Sequence, residues 1–195
     1  MKLVFIHGAT ASNRSFAYID SQLQRESIYL DYDRGRSAGY NLESMKERLT
    51  ETTSDLYYVT HSLGGIYAIY LQNAVPNSVA AVSMATPFNG SEIATWSRLF
   101  VPHYALFRDI TPDSSFISES KCINIRIPWT QFVTTVGDVP WLVGDNDGVV
   151  TRKSMICRDD VNYIEVDRNH YEIVQSQRVV DFINTHITHK EKNDE

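Results

Sequence analysis

The chain has 195 residues and a formal net charge of −6 at pH 7, and its length is that of a single domain. Hydrophobic residues make up 43% of the chain and charged residues 22%, which is typical of a globular protein with a buried core and excludes a disordered, collagen-like or coiled-coil chain. The excess of acidic over basic side chains argues against non-specific binding to nucleic acid, and we expect no such partner.

The cysteines and the N-terminal segment bear on the compartment. Cys122 and Cys157 are too few for a disulfide framework and fit no zinc-binding or redox spacing. The apolar run Leu3–Ile6 is too short for a signal peptide, and no window is apolar enough for a membrane helix. We therefore expect a cytoplasmic protein with reduced thiols, no integral membrane segment, no metal and no cofactor.

Short segments rich in Val, Ile and Tyr alternate along the chain with longer segments whose apolar residues recur at helical spacing. The predicted strands are Lys2–Ile6, Ser27–Tyr32, Leu56–Thr60, Val79–Met84, Phe132–Gly137 and Tyr163–Val166. The predicted helices are Phe16–Glu26, Leu42–Thr52, Leu63–Val75 and Ile173–His186. This alternation predicts an α/β fold, a three-layer sandwich around a mostly parallel sheet of about six strands.

Two segments depart from this alternation. We interpret residues 1–189 as one domain, within which residues 91–121 lack a strand pattern and are rich in aromatic side chains. We expect them to form short helices that act as a partial lid, with Trp96, Phe100 and Tyr104 as candidate substrate-binding residues, although aromatic residues at such spacing also pack in cores. Residues 190–195 have no apolar side chain to bury, so we expect a disordered polar tail.

The sharpest local signal is a serine between a predicted strand and a predicted helix. The apolar strand leads into Ser62, and Gly64 follows at the start of the helix. A nucleophilic serine on such a turn projects its hydroxyl above the sheet, and small neighbours let the strand and the helix approach each other closely. The same context also suits a serine that only caps the helix. Thr60 stands where the G-x-S-x-G pattern has its first glycine, and a Cβ there is expected to crowd the turn.

Two main-chain N–H groups near this serine are candidate donors to an oxyanion. Leu63 follows the serine at the start of the predicted helix, where free N–H groups and the helix dipole favour negative charge. Ala9 lies in the glycine-bearing loop after the first predicted strand, from which sites of this type draw a second donor. The loop can also be a simple turn in which His7 caps a carbonyl.

A nucleophilic serine needs a base, and the base needs an acid that orients it. His170 follows the last predicted strand, on a loop expected to open at the same edge of the sheet as Ser62, and is the candidate base. The acid is expected between these two residues in the chain, in the turn after the penultimate strand, and Asp147 is our choice. Asp145 and Asp138 remain alternatives, because Asp-rich turns also exist for their geometry.

Taken in order, these motifs resemble the α/β-hydrolase superfamily, in particular its compact lipase-like and esterase-like members, over nearly the whole chain. The stretches that carry the resemblance are His7-Gly8-Ala9, His61-Ser62-Leu63-Gly64-Gly65, Ala85 to Ser91, Asp147-Gly148-Val149-Val150 and Asn169-His170. The resemblance implies that Ser62 is the nucleophile, His170 the base and Asp147 the acid. It also implies Ala9 and Leu63 as the oxyanion donors, and no cofactor.

The expected activity is the hydrolysis of carboxylic esters, either small molecules or lipids, through an acyl-enzyme. No insertion is long enough for a full cap domain, and short to medium acyl groups are expected because long chains generally need a larger apolar surface. A thioesterase, an amidase or a lipid deacylase would use the same residues. The alternative from another class is an inactive hydrolase-fold binding protein, for which the threonine at position 60 is the only motive.

Overall fold

The computed structural model describes residues 1–94, 105–137 and 139–193. Within these residues, six strands form one sheet: β1 Lys2–Ile6, β2 Ser27–Leu30, β3 Leu56–His61, β4 Ser78–Met84, β5 Trp129–Thr134 and β6 Asn162–Val166. The helices are α1 Ala17–Leu23, α2 Ala38–Thr50, α3 Leu63–Ala74, α4 Ala105–Asp109, α5 Ser115–Cys122, α6 Arg152–Met155 and α7 Gln177–Asn193, with 3-10 turns at Asn13–Phe16 and Glu172–Gln175. The predicted α/β fold with a parallel sheet is confirmed.

The strand order places a topological switch point beside β1. The order is β2-β1-β3-β4-β5-β6, and every neighbouring pair is parallel. The chain leaves β1 towards β2 on one side, whereas it leaves β3 towards β4 on the other. The loops that follow β1 and β3 therefore separate at the carboxyl edge of the sheet and leave a crevice there, which is the usual ligand site of open parallel sheets.

Both faces of the sheet are covered, because side chains on successive strand residues point to opposite faces. On β1, Val4 and Ile6 join the core under α2 and α3, whereas Leu3 and Phe5 join the core that contains α1 and α7. All four side chains are buried, and each contributes on the order of 2 kcal/mol by leaving water. This two-sided burial explains why β1 has an uninterrupted apolar sequence instead of an alternating one.

Several element boundaries differ from those that the sequence predicts, and the cause is visible for two of the larger differences. Strand β5 spans Trp129–Thr134, three residues before the predicted Phe132–Gly137, because pairing with β4 sets its register, with Trp129 opposite Ala81. Helix α2 begins at Ala38 instead of Leu42, because the Ser37 hydroxyl accepts a hydrogen bond from the Tyr40 N–H at 3.2 Å and caps the helix.

The last helix extends into the segment for which the sequence predicts a disordered tail. Helix α7 continues to Asn193, so residues 190–193 are helical. Extending an existing helix is far easier than nucleating one, and the Arg25 guanidinium pairs with the Glu191 carboxylate at 2.6 Å. Among the described residues, no helix is both long and apolar enough to cross a membrane.

The described part of the segment 91–121 contains the expected short helices. Helix α5 packs on α3: the Phe116 ring stacks on Tyr70 with ring centroids 4.7 Å apart, and the Tyr70 hydroxyl donates to the Phe116 carbonyl at 2.6 Å. Leu106 on α4 and Ile117 on α5 are buried in the core under α3. This part of the segment is therefore an integral layer of the fold.

Candidate active site

Ser62 lies between β3 and α3 in a backbone conformation that L-residues rarely adopt. Its φ is 53° and its ψ is −124°. Its N–H donates to the Met84 carbonyl at 2.8 Å, and its own carbonyl accepts from the Gly65 N–H at 3.0 Å. Such strain persists only where the surroundings fix it, and it is commonly found at functional sites. The predicted sharp turn at this serine is therefore present.

Glycines allow the elements around this turn to approach closely. A Cβ at Gly64 would lie 2.0 Å from the carbonyl oxygen of Ile6 at the end of β1. A Cβ at Gly8 would lie 3.0 Å from both the Ser62 Cβ and the His61 Nδ1. The first turn of α3 can therefore pack against the end of β1, and the loop after β1 can pack against His61 and Ser62, only because these positions lack side chains.

The threonine that replaces the first glycine of the motif lies within the strand. Thr60 pairs with Ile6 on β1 and with Ser83 on β4, without a break in register. Its side chain is buried, with the hydroxyl 3.5 Å from the Val82 carbonyl. Thr60 therefore keeps its regular pairing inside β3, and the sharp bend occurs two residues later, at Ser62.

His170 and Asp147 meet at the carboxyl edge of the sheet. The His170 Nδ1 lies 2.8 Å from the Asp147 Oδ2, and the His170 main-chain N–H donates to the Asp147 carbonyl at 3.2 Å. Both side chains are buried. Because a carboxylate only accepts hydrogen bonds, Nδ1 carries the hydrogen, and Nε2 of the neutral ring is left as an acceptor. This is the tautomer that a general base needs.

The Asp147 carboxylate is fully enclosed by hydrogen-bond donors. Oδ1 accepts from the main-chain N–H groups of Val149 at 3.0 Å and Val150 at 2.8 Å, and Oδ2 accepts from the Thr134 hydroxyl as well as from His170. Burial raises the pKa of Asp147, but these donors, with His170 the strongest, outweigh it and hold the pKa below its usual range. The group is therefore an anion at neutral pH.

The turn that contains Asp147 places the nearby Asp145 in a different environment. Asp145 is exposed, and its carbonyl accepts from the Arg152 N–H at 2.7 Å. Asn146 is buried and organises the turn, because its Oδ1 accepts from the Gly148 N–H at 3.0 Å. The structure therefore pairs His170 with Asp147 instead of Asp145. The third alternative, Asp138, lies outside the described residues.

Ser62 and His170 line the same cavity, which has a volume of about 240 Å³. Its wall on one side is the loop after β1, and on the other side it is formed by apolar side chains of α3 and of the segment that leads into α5. The lining residues are Gly8, Ala9, Thr10, Ala11, His61, Ser62, Leu63, Ile66, Pro87, Ser91, Ile93, Ala94, Phe107, Ile110, Ile117, Gly148, Val149, Val150, His170 and Tyr171. Both candidate oxyanion donors are among them.

Part of this apolar wall is not predicted from the sequence. Ile66 lies one helical turn after Ser62, so the helical period alone could have indicated it. Ile110 and Ile117 reach the cavity only because α5 packs on α3, and no local signal indicates this. The predicted substrate-binding residues Trp96, Phe100 and Tyr104 lie outside the described residues.

Several solved structures are similar to this fold. A metagenomic carboxyl esterase matches with a TM-score of 0.72 at 14% identity, over 87% of this chain and 64% of that chain. The mature form of a Bacillus licheniformis lipase matches with a TM-score of 0.68 at 15% identity, over 89% of this chain and 86% of that chain. The mouse α/β hydrolase domain-containing protein 10 matches with a TM-score of 0.61 at 15% identity, over 100% of this chain and 90% of that chain.

The chain has the α/β-hydrolase fold. No protein-family model matches its sequence, and no curated protein is significantly similar to it. The chain spans 64% of the length of the carboxyl esterase.

In this α/β-hydrolase fold, the candidate residues follow three different strands. Ser62 follows β3, Asp147 follows β5 and His170 follows β6, so all three lie at the carboxyl edge of the sheet. No group of three or more His, Cys, Asp or Glu side chains that could hold a metal ion is present in the described part of the chain.

His7 fixes the loop that carries one candidate oxyanion donor. Its Nδ1 lies 2.8 Å from the Gly8 carbonyl oxygen, and its Nε2 lies 3.2 Å from an Asp31 carboxylate oxygen. Burial lowers the pKa of His7, although the Gly8 carbonyl and Asp31 oppose this shift. The carbonyl and N–H of a trans peptide point in opposite directions. The contact with Gly8 therefore directs the Ala9 N–H away from the His7 ring.

His61 is a second buried histidine beside the serine, and no role is predicted for it from the sequence. Its Nε2 donates to the main-chain carbonyl of His170 at 2.8 Å, and the centroids of the two rings lie 4.8 Å apart. Burial, followed by the neighbouring His170, lowers the pKa of His61 to about 3. The ring is therefore neutral at physiological pH.

Proposed function

We propose that the protein is a serine hydrolase that cleaves carboxylic esters of small molecules or lipids through an acyl-enzyme. The observation that carries this proposal is the shared cavity of Ser62 and His170, with His170 oriented by the buried Asp147. The fold supports ester chemistry as well, because carboxyl esterases and lipases are among the structures that share it.

Acylation begins with attack of the Ser62 Oγ on the ester carbonyl carbon. His170 Nε2 takes the hydroxyl proton as the bond forms, and the resulting imidazolium is stabilised by the Asp147 carboxylate. Because the hydrogen bonds to Asp147 keep it ionised, it provides this stabilisation without taking the proton. Collapse of the tetrahedral intermediate expels the alcohol, which receives the proton from His170.

The negative charge of the intermediate needs hydrogen-bond donors. Leu63 is the first residue of α3, and its N–H therefore has no acceptor within the helix. Ala9 supplies the second N–H, from the loop held by His7. Donors of this kind typically contribute on the order of 3 kcal/mol each to stabilisation of the transition state. Water then attacks the acyl-enzyme with His170 as base, which releases the acid and restores Ser62.

The cavity supports an uncharged acyl group of short to medium length. Ile66, Phe107 and Ile117 form part of its wall, and none of its described lining residues is Asp, Glu, Lys or Arg. Its volume of about 240 Å³ is below the roughly 300 to 1,000 Å³ that drug-sized ligands occupy. A carboxylate or ammonium on the acyl chain would lose its hydration there without a partner.

The test is hydrolysis of p-nitrophenyl esters of increasing acyl length by the wild type and by Ser62→Ala. We expect turnover by the wild type with an optimum at short to medium chains, and none above background by Ser62→Ala. A fluorophosphonate probe should label the wild type but not Ser62→Ala. The control is Ser118→Ala, which removes an exposed hydroxyl on α5 and should behave as the wild type.

The outcomes separate the proposal from its alternatives. Turnover that survives in Ser62→Ala would refute the assignment of the nucleophile. Failure of the folded wild type to hydrolyse esters and to react with the probe would refute the ester hydrolase. Thioester and amide substrates with the same acyl group measure the preference for the leaving group, and activity on these alone would favour a thioesterase or an amidase.

A further inference from the structure

We propose that His61 is a positioning residue, which sets the distance between Ser62 and His170 by holding the main-chain carbonyl of His170. The proposal rests on the proposed function, because it takes His170 as the base. His61 precedes the nucleophile in the chain and donates its Nε2 hydrogen to the carbonyl of the base at 2.8 Å. One rigid ring therefore connects the strand that carries the nucleophile to the loop that carries the base.

The sheet alone does not fix this distance. β6, which precedes His170, is the edge strand, and β4 and β5 separate it from β3. Neighbouring strands lie about 4.8 Å apart, so β3 and β6 are separated by roughly 14 Å. The loop after β6 must cross this distance to bring His170 to Ser62. The contact with His61 joins the end of that loop directly to the end of β3.

The main chain of His170 is held on both sides by residues of the site. Its N–H donates to the Asp147 carbonyl at 3.2 Å, and its carbonyl accepts from His61. The Asp147 carboxylate holds Nδ1 of the ring. With these three contacts the position of His170 Nε2 is determined by Asp147 from one side and by the neighbour of Ser62 from the other.

A neutral ring suits this place beside a base that becomes positively charged. Burial and His170 itself keep His61 unprotonated, so His61 does not repel the imidazolium that forms during the reaction, whereas a lysine or an arginine would. Its Nδ1 is buried and has no hydrogen-bond partner among the described residues. An unpaired buried acceptor is unfavourable. The ring therefore occupies this place at a cost in stability, while its Nε2 makes the hydrogen bond to His170.

The experiment compares two substitutions of His61 that differ in the donor. The side-chain amide of His61→Gln can donate from a position close to that of Nε2, whereas His61→Leu has a similar volume and no donor. We expect kcat on a p-nitrophenyl ester to fall roughly 10- to 100-fold in His61→Leu with KM nearly unchanged, because a misplacement of about 1 Å costs rate on this scale. We expect His61→Gln to retain kcat within about threefold of the wild type, since it keeps the hydrogen bond.

The matched control removes another buried hydrogen bond from the same strand. In Tyr58→Phe the contact between the Tyr58 hydroxyl and the Ser78 hydroxyl at 2.9 Å is lost, and kcat should not change. An equal loss of kcat in His61→Gln and His61→Leu would overturn the proposal, and so would a loss confined to KM. If His61→Leu does not fold, the kcat of His61→Gln relative to the wild type and the tautomer of His61 in the wild-type spectra decide.

A spectroscopic measurement tests the contact independently of the activity. Two-bond ¹H–¹⁵N spectra of the wild type should show His61 neutral with its hydrogen on Nε2, and the His170 ring signals should shift in His61→Leu but not in Tyr58→Phe. A hydrogen on Nδ1 of His61, or unchanged His170 signals in His61→Leu, would overturn the proposal. If the wild type hydrolyses no ester but the spectra agree, the proposed function fails while the contact stands.

Discussion

The burial of His61 in a neutral form predicts a specific dependence of stability on pH. The pKa of His61 in the folded protein is about 3, against an ordinary value of 6.5. Between these values the unfolded chain binds a proton that the folded protein does not bind. The free energy of unfolding therefore rises with pH in this window. The stability that the neutral His61 contributes is lost as the pH falls from about 6.5 towards 3.

The size of this change in stability follows from the one proton that the unfolded chain binds and the folded protein does not. One proton bound only by the unfolded chain changes the free energy of unfolding by about 1.4 kcal/mol per pH unit. With the two pKa values above, the wild type loses about 2 to 3 kcal/mol between pH 6 and pH 4 through this residue alone. His7 and His186, whose pKa values are also lowered mainly by burial, contribute in the same direction.

The assay is urea unfolding, followed by tryptophan fluorescence, of the wild type and His61→Gln at several pH values between 7 and 4. His7 and His186 are present in both proteins, so their contributions cancel in the difference. We expect the stability difference between the two proteins to shift by about 2 to 3 kcal/mol in favour of His61→Gln from pH 6 to pH 4. Tyr58→Phe should run parallel to the wild type. Parallel curves for His61→Gln and the wild type would refute the reasoning.

Three further predictions concern the site and its packing. Asp147→Asn should lower kcat by roughly 10³- to 10⁴-fold on a p-nitrophenyl ester, because an amide does not hold the His170 tautomer. Asp145→Asn, at an exposed position, should have little effect on kcat. Equal losses in the two variants would contradict the pairing of His170 with Asp147. Gly64→Ala should destabilise the protein strongly in urea unfolding, because its Cβ would lie 2.0 Å from a main-chain oxygen, whereas Gly39→Ala, with nothing within 4 Å, should be neutral or stabilising. Ile117→Phe should shift the p-nitrophenyl ester optimum to shorter chains by filling the cavity, and an unchanged optimum would show that the acyl group lies elsewhere.

The elements of the fold could be predicted from the sequence where the information is local. β1 is recognised as a strand by its uninterrupted apolar residues, and its predicted limits, Lys2–Ile6, agree with the structure. The predicted limits of β5 are displaced by three residues, because its true limits depend on pairing with β4. The end of helix α7 could not be predicted either, because its last turns continue beyond the apolar pattern that indicated the helix.

The candidate site could be predicted in its order but not in its contacts. The position of Ser62 between a strand and a helix, and the order of Ser62, Asp147 and His170, are visible in the sequence. The sequence favours Asp147 over Asp145 but leaves both open, because both lie in the same polar turn and only the folded turn brings one of them to His170. The roles of these residues in catalysis stay predictions for the experiments above.

The sequence by itself determined the alternation of strands and helices. It also indicated which strand ends would be followed by the candidate catalytic residues. Only the tertiary structure decided what meets at those ends. The contact between Asp147 and His170 joins residues 23 apart in the chain, and the contact between His61 and His170 joins residues 109 apart. Periodicity and turn signals act over a few residues, whereas contacts at these separations depend on the order of the strands in the sheet and on the loops that cross its carboxyl edge.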